Sequence, residues 1–441
     1  MKICFVCLHA YPLFNPSFKH IFGGAEMRCW MLAKALSCLP EYQVSFVVLD
    51  HKQEAVETYG NVRLHAHSHY RDSQHWMNGF REEVKSNIRI TGTFPFISGV
   101  KKGGLFRLLS PEYLFKLACV SLYHIWYLVM RKLQRVNDLM FYPYLLQPGK
   151  TKVYRMINAD IYCSFGVNEL SSEIAAFCRR YGKKFVLFTS SDYDFSEEYF
   201  SGSNLINQYA SAGYLCYYAI KNAHRIIVQT VHQEKLLKER FGEDCMLMLN
   251  PIDLSGPLET SPVNERRGAL WVGKSDRVKQ PHLLFELARN FPDYPFTMVM
   301  NLSNPEINAE VHEQLLASRP PNIEIIEHLP FEGADQLFSQ AAIFINTSRF
   351  EGFPNTFLQA GKYSVPVLSL NVDPDSFIEK YHCGVFADGK FERLIEGFSK
   401  LISDVRFAKL CSDNINLYIR QHHNLDEKID QLDKLFQELM E

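Results

Sequence analysis

The chain lacks a strong charge of either sign. Forty-seven lysines and arginines face 49 aspartates and glutamates, a formal net charge of −2, so no global basic field marks it for nucleic acid. It also lacks a disulfide framework. Its eleven cysteines are an odd number. They are scattered, and Cys163, Cys178 and Cys216 fall inside apolar segments, which suits a reducing cytosol. Cys4 and Cys7 spell C-x-x-C. Within an apolar strand at 3–8 they stand on opposite faces, with no helix N-terminus to activate them. No N-terminal signal segment is visible, because that run is too short for an h-region and leads into a polar loop. The G-x-G-x-x-G spacing of a dinucleotide fingerprint is absent, so NAD and FAD are not expected. Neither solenoid-period repeats nor low-complexity tracts occur. With 47 % apolar and 22 % charged residues, the composition argues against extended disorder.

What is present is alternation. Strand-like runs at 3–8, 44–49, 161–165, 185–188, 226–228 and 246–249 are interleaved with helical patterns at 26–39, 169–181, 205–222 and 233–241. A linker rich in Pro, Ser and Gly runs from Asn250 to Arg266. Alternation then restarts, with strands at 269–272, 296–300, 323–326, 343–345 and 365–368. Helices accompany them at 282–290, 309–317, 335–342, 355–363 and 391–401. Two consecutive βα series predict two doubly wound, Rossmann-like α/β domains facing a cleft. Ligands in such sheets sit beyond the carboxyl ends of the strands. The tail, 407–440, reads as two helices broken near Asn424.

The segment at about 70–150 departs from the alternation. It is aromatic and partly basic, with a nearly continuous apolar run at 113–130. Two readings stay open. One is a helix lying at a membrane interface, with Lys101, Lys102, Arg107, Arg131 and Lys132 toward anionic head groups. The other is a buried or half-buried helix pair decorating the first domain.

Residues 345–370 carry the most chemistry. A strand ends at Asn346, a turn holds Glu351, Gly352 and Pro354, and a helix opens at about Asn355. A helix opening leaves backbone N–H groups without internal partners, and with the helix dipole these favour an anion such as a diphosphate. Glu351 would face what the diphosphate carries; a sugar could donate hydroxyl hydrogen bonds to it. Lys274 and Lys279 follow a strand of the same domain, and lysine is a point-charge phosphate binder. Gly23-Gly24 opens a helix after the first strand's long loop, again exposing N–H groups. Asp373-Pro374-Asp375 has the spelling of a metal clamp but reads as turn residues. His65, His67 and His69 share a strand face with His75 following, a weak zinc pattern from a single element.

These motifs, in this order and spacing, resemble those of the GT-B-fold retaining glycosyltransferases of glycosyltransferase family 4. They are Gly23-Gly24-Ala25-Glu26, Gly273-Lys274 with Lys279, and Glu351-Gly352-Phe353-Pro354-Asn355 through Gln359-Ala360, together with the segments 223–250 and 365–370. The resemblance covers 1–50 and 150–420. It implies an acceptor-side domain at 1–253, a nucleotide-sugar domain at 254–420, and a crossover helix at 421–441 returning to the first domain. It implies retaining hexosyl transfer from a UDP- rather than a GDP-sugar to a hydroxyl of a glycan or lipid-linked acceptor in cell-surface polysaccharide synthesis. The protein would be cytoplasmic or peripheral at the inner membrane face through 101–132, and no metal or cofactor is expected.

By the same resemblance Glu351 holds the donor sugar, and Gly23, Gly24, Lys274 and Lys279 lie at the phosphates. Gly352, Phe353, Pro354, Asn355, Thr356 and Phe357 complete the donor turn, with backbone N–H groups of 355–357 toward phosphate. Gln359 stands where the family usually has the ribose-binding glutamate, and Lys274 where arginine is more common. Ser191-Asp192 stands where the family often has His-Asp, which leaves Asp192 to orient the acceptor hydroxyl. Gln359 and Ser191 motivate an alternative: a degenerate homologue that binds a nucleotide sugar or a partner without catalysis.

Overall fold

The structure is a computed structural model. It describes residues 1–18, 22–67, 148–203, 205–207, 211–255, 265–275, 277–301, 313, 315–327 and 331–441. The aromatic stretch from 70 to 147, with Lys101, Lys102, Arg107, Arg131 and Lys132, lies outside the described residues, as do His69 and His75.

Two sheets organise the chain. The first holds β1 (Lys2–Val6), β2 (Gln43–Leu49), β3 (Val56–Tyr59), β4 (Val62–His67), β5 (Ile161–Phe165), β6 (Lys184–Phe188), β7 (Arg225–Val228) and β8 (Met246–Leu247). Their order is β3-β4-β2-β1-β5-β6-β7-β8, and only the edge pair β3–β4 is antiparallel among these pairings. The second holds β9 (Ala269–Lys274), β10 (Phe296–Asn301), β11 (Ile323–Ile326), β12 (Ile343–Asn346), β13 (Val367–Ser369) and β14 (Gly384–Phe386). It is wholly parallel, in the order β11-β10-β9-β12-β13-β14. Strand order reverses between β1 and β5 in one sheet and between β9 and β12 in the other. Each reversal opens a crevice at the strands' carboxyl ends.

Both faces of each sheet are buried, as a parallel sheet with helices on both sides requires. Along β1 the side chains alternate between two cores: Cys4 and Val6 pack into one, Ile3 and Phe5 into the other. Cys7 joins the second, so the C-x-x-C pair is split between cores. Burial pushes the Cys4 thiol far above its ordinary range, leaving it inert.

The last two helices, Val405–His422 and Leu425–Met440, belong to different halves. Ile415, Tyr418 and Ile419 pack into a core of the second sheet. Ile429, Leu432, Leu435, Phe436 and Leu439 pack into a core of the first. Their spacing places these five on one helix face, and each contributes roughly 1.5–3 kcal/mol on burial. At the break, Ile252 and Asn424 form a bridge, and His423 donates from Nδ1 to the Asn250 carbonyl at 2.6 Å.

Two sequence expectations change. The helix expected over 205–222 begins only at Gly213. Before it, Asn207 Oδ1 accepts from the Ser211 amide at 2.9 Å, and Ile206 bridges Ala212. A side-chain acceptor for the backbone competes here with the helix. The strand expected over 365–368 begins at Val367, because Pro366 has no N–H for the ladder.

Candidate active site

The Glu351 turn sits at the reversal of the second sheet. Its base is fixed by Thr347 Oγ1, which accepts from Trp271 Nε1 at 2.9 Å and donates to the Lys279 carbonyl at 2.7 Å. Three donors converge on Glu351 Oε1: Lys279 Nζ at 2.6 Å, Ser348 Oγ at 2.7 Å and Asn346 Nδ2 at 3.3 Å. Among the described residues none reaches Oε2. Burial alone would raise this carboxyl, but the Lys279 ammonium and these hydrogen bonds hold it below the usual range. Gly352 is tightly enclosed. A Cβ there would lie 3.0 Å from Gln229 Nε2 and 3.1 Å from Gln233 Nε2.

Helix Asn355–Lys362 follows, its N-cap Pro354 offering no side-chain cap. The expectation that three successive amides face phosphate needs correction. The Phe357 amide returns to the Pro354 carbonyl at 3.0 Å, which leaves Asn355 and Thr356. The side chains of Phe353 and Phe357 are also not donor contacts, since both are buried in the core. Gln359 is half-buried on this helix.

Facing this helix end is another. Helix Gly24–Leu36 begins at the glycine pair, and Asn355 Nδ2 donates to the Gly24 carbonyl at 3.0 Å. A Cβ on Gly24 would lie 3.2 Å from that nitrogen, so a larger residue would crowd the Asn355 side chain that joins the two helix starts. The Gly23 amide is engaged by Glu26 Oε2 at 2.8 Å, so it is not an open donor. Lys274, ending β9, brings its Nζ to 3.8 Å from where a Gly23 Cβ would stand. The two lysines therefore part: Lys274 reaches the facing helix, and Lys279 pairs with Glu351. Two helix N-termini and an ammonium converge on one gap, which is favourable for an anion.

The opposite wall is built by the turn after β6. Asp194 is buried there, accepting from the amides of Ser190 at 2.5 Å, Ser191 at 3.2 Å and Val167 at 3.1 Å. It shapes the turn and leaves Asp192 at the surface of the gap. Asp192 Oδ1 accepts from Gln233 Nε2 at 3.0 Å, and Oδ2 lies 4.0 Å from His232 Nε2. Burial raises its carboxyl above the ordinary value, with Gln233 and His232 opposing. Between the walls lies a cavity of about 370 Å³, lined by Asp192, Tyr193, Glu197, Arg240, Phe350 and Glu351, with Ser191 and Ser196.

Beneath the gap runs a polar chain that the sequence did not reveal. Arg28 is buried, stacked at 5.2 Å from the Phe165 ring centre and 5.7 Å from that of Phe188. Its Nη1 donates to Asn250 Oδ1 at 2.7 Å, and Nη2 to the Thr189 carbonyl. Burial pulls its guanidinium down to about 10. Asn250 Nδ2 in turn donates to Gln229 Oε1 at 2.7 Å and the Phe353 carbonyl at 3.1 Å. Helix Gly24–Leu36 thus reaches the Glu351 turn through two side chains. Asp375 joins the halves elsewhere, accepting from the amides of Val231 at 2.9 Å and His232 at 3.1 Å. Asp373 caps Ile378 at 2.8 Å, so both aspartates of that triplet hold backbone. His67 is buried 3.9 Å from Glu173. Among the described residues no three His, Cys, Asp or Glu side chains converge as a metal set, and no helix is long and apolar enough to cross a membrane.

Residues 268–404 match the family described as Glycosyl transferases group 1. Among curated proteins none matches the sequence. Sucrose-phosphate synthase from Thermosynechococcus elongatus is 13% identical, with 100% of this chain and 99% of that one covered at a TM-score of 0.67. HepE from Anabaena, in complex with UDP and glucose, is 12% identical over 99% of each chain at a TM-score of 0.64. The lipopolysaccharide outer core galactosyltransferase WaaB is 14% identical over 99% of this chain and 100% of that one, at 0.53. At such identities the likeness is one of fold: the two-domain GT-B arrangement, with a glycosyltransferase-type domain at 268–404.

Proposed function

We propose that the protein is a retaining hexosyltransferase of glycosyltransferase family 4. It moves a sugar from UDP to a hydroxyl of a glycan or lipid-linked acceptor in cell-surface polysaccharide synthesis. The observation that carries this reading is the meeting of the Gly24 and Asn355 helix starts with Lys274 beside them and the tethered Glu351 alongside.

In this reading the diphosphate lies between the helix starts. The Asn355 and Thr356 amides and Lys274 take up the negative charge that develops as the sugar–phosphate bond breaks, which lowers the barrier. Glu351, fixed through Oε1, offers Oε2 to the donor sugar's hydroxyls. Asp192, from the opposite wall, orients the acceptor hydroxyl on the same face as the leaving group. Gln359 offers an amide in place of a carboxylate to the ribose diol, one acceptor and two donors. The positive groups come from the chain itself, so turnover is expected to persist in EDTA. Membrane contact through 101–132, at the cytoplasmic face, belongs to the same proposal.

The half-buried Gln359 favours a second reading, a homologue that binds the nucleotide sugar without turnover. A panel of UDP- and GDP-sugars, assayed for nucleotide release and for product anomeric configuration, separates the two. Release from a UDP-sugar with retention supports the enzyme. Binding with no release from any donor favours the second reading.

A further inference from the structure

The cavity between the two turns carries an aromatic pair that the transfer chemistry does not use. Tyr193 comes from the turn after β6 and Phe350 from the Glu351 turn. Their ring centres are 5.0 Å apart at 56°. They are 43% and 38% exposed, so neither belongs to a core. The remaining lining is polar, and its charges are unevenly committed. Glu351 has Lys279. Glu197 has Arg240 at 2.9 Å, and the other terminal nitrogen of Arg240 donates to the Phe195 carbonyl at 2.6 Å. Asp192 accepts from the neutral Gln233 amide at 3.0 Å, and the His232 imidazole stands 4.0 Å from its other oxygen. Among the described lining residues, three carboxylates therefore stand against one guanidinium already engaged twice. An anion entering here meets carboxylates and no uncommitted cation. A neutral ring with an apolar C–H face and a hydroxyl edge meets what is present. Its face covers the aromatic rings, and its edge reaches Asp192 and Ser196.

We infer that Tyr193 and Phe350 determine acceptor specificity. They select an uncharged saccharide ring, and the pocket rejects a ring bearing phosphate or carboxylate. This rests on the glycosyl-transfer reading above and names the acceptor class for it. If the acceptor is lipid-linked, its phosphate lies outside this pocket.

The test uses the full chain loaded with UDP. Saturation-transfer NMR follows methyl glucoside and methyl galactoside as neutral probes, and methyl glucuronide and glucose 6-phosphate as anionic ones. The neutral glycosides are expected to bind, and Tyr193→Ala and Phe350→Ala to weaken them by about tenfold while keeping the UDP thermal shift of a folded protein. Glu197→Gln, which frees Arg240, is expected to strengthen the anionic probes at least about threefold and leave the neutral ones unchanged. Equal binding of both classes by the wild type overturns the inference. So does undiminished neutral binding in the two alanine variants, or no glycoside binding at all, with the donor reading intact in each case. Absence of a UDP shift in the wild type overturns the donor reading and this inference with it.

Discussion

Two carboxylate-bearing turns face one gap, and the structure treats them differently. Glu351 is fastened by a lysine, a serine and an asparagine, and stays ionised below the usual range. Asp192 has one amide donor and a distant imidazole, and burial raises its carboxyl. A carboxylate held by three donors is preorganised to hold a ligand. One with a raised value is better suited to sharing a proton with an incoming hydroxyl. The same contrast recurs within the Asp192 turn. Asp194, two residues along, accepts three amides and is spent on the backbone.

The comparison is broken most directly at Glu351. Glu351→Gln is expected to lower kcat/KM for a UDP-sugar by about 100- to 1000-fold, measured by UDP release, with little change in UDP affinity. Asp192→Asn should cost about 100-fold and leave thermal stability near wild type. It should also abolish the acid limb of the pH–rate profile. In the wild type that limb lies above the ordinary aspartate value of 3.8 because burial raises Asp192, whereas the Lys279 ammonium and its hydrogen bonds hold Glu351 below its ordinary value. Asp194→Asn inverts the pattern. It is expected to lose about 1–3 kcal/mol of stability in denaturant titration, since an amide cannot accept all three N–H groups.

A smaller effect tests the seam between the halves. His423 is buried against Phe353 and bonded to the Asn250 carbonyl, and burial pulls its imidazole from 6.5 down to about 3. The unfolded chain therefore binds this proton first. Stability is whole above about pH 6.5 and falls by up to about 1.4 kcal/mol per pH unit below it, to about pH 3. Denaturation at about pH 7 and pH 5 should show that slope in the wild type and a shallower one in His423→Phe.

The Glu351 wall was legible in the sequence because its parts are local. The strand end at Asn346, the glycine turn and the helix start lie within ten residues of one another, and their spacing states their geometry. The sheets followed from alternation for the same reason. The Asp192 wall and the floor were not legible. Arg28 reads as an ordinary helix arginine, and what makes it structural is Asn250, 222 residues away. Asp192 and Asp194 look equivalent until the amides of Val167 and Ser190 single one out. Tyr193 and Phe350 meet only because two loops from separate sheets converge. Residues 205–207 failed as a helix because Asn207 Oδ1 takes the Ser211 amide.

In the proposed reading the gap between the Gly24 and Asn355 helix starts is a diphosphate site. Calorimetric titration of the wild type and Lys274→Ala with UDP and with uridine tests it. UDP is expected to bind the wild type about 100-fold more tightly than uridine, and the variant to lose most of that difference while binding uridine unchanged. Equal affinity for UDP and uridine, or an undiminished difference in Lys274→Ala, would contradict it.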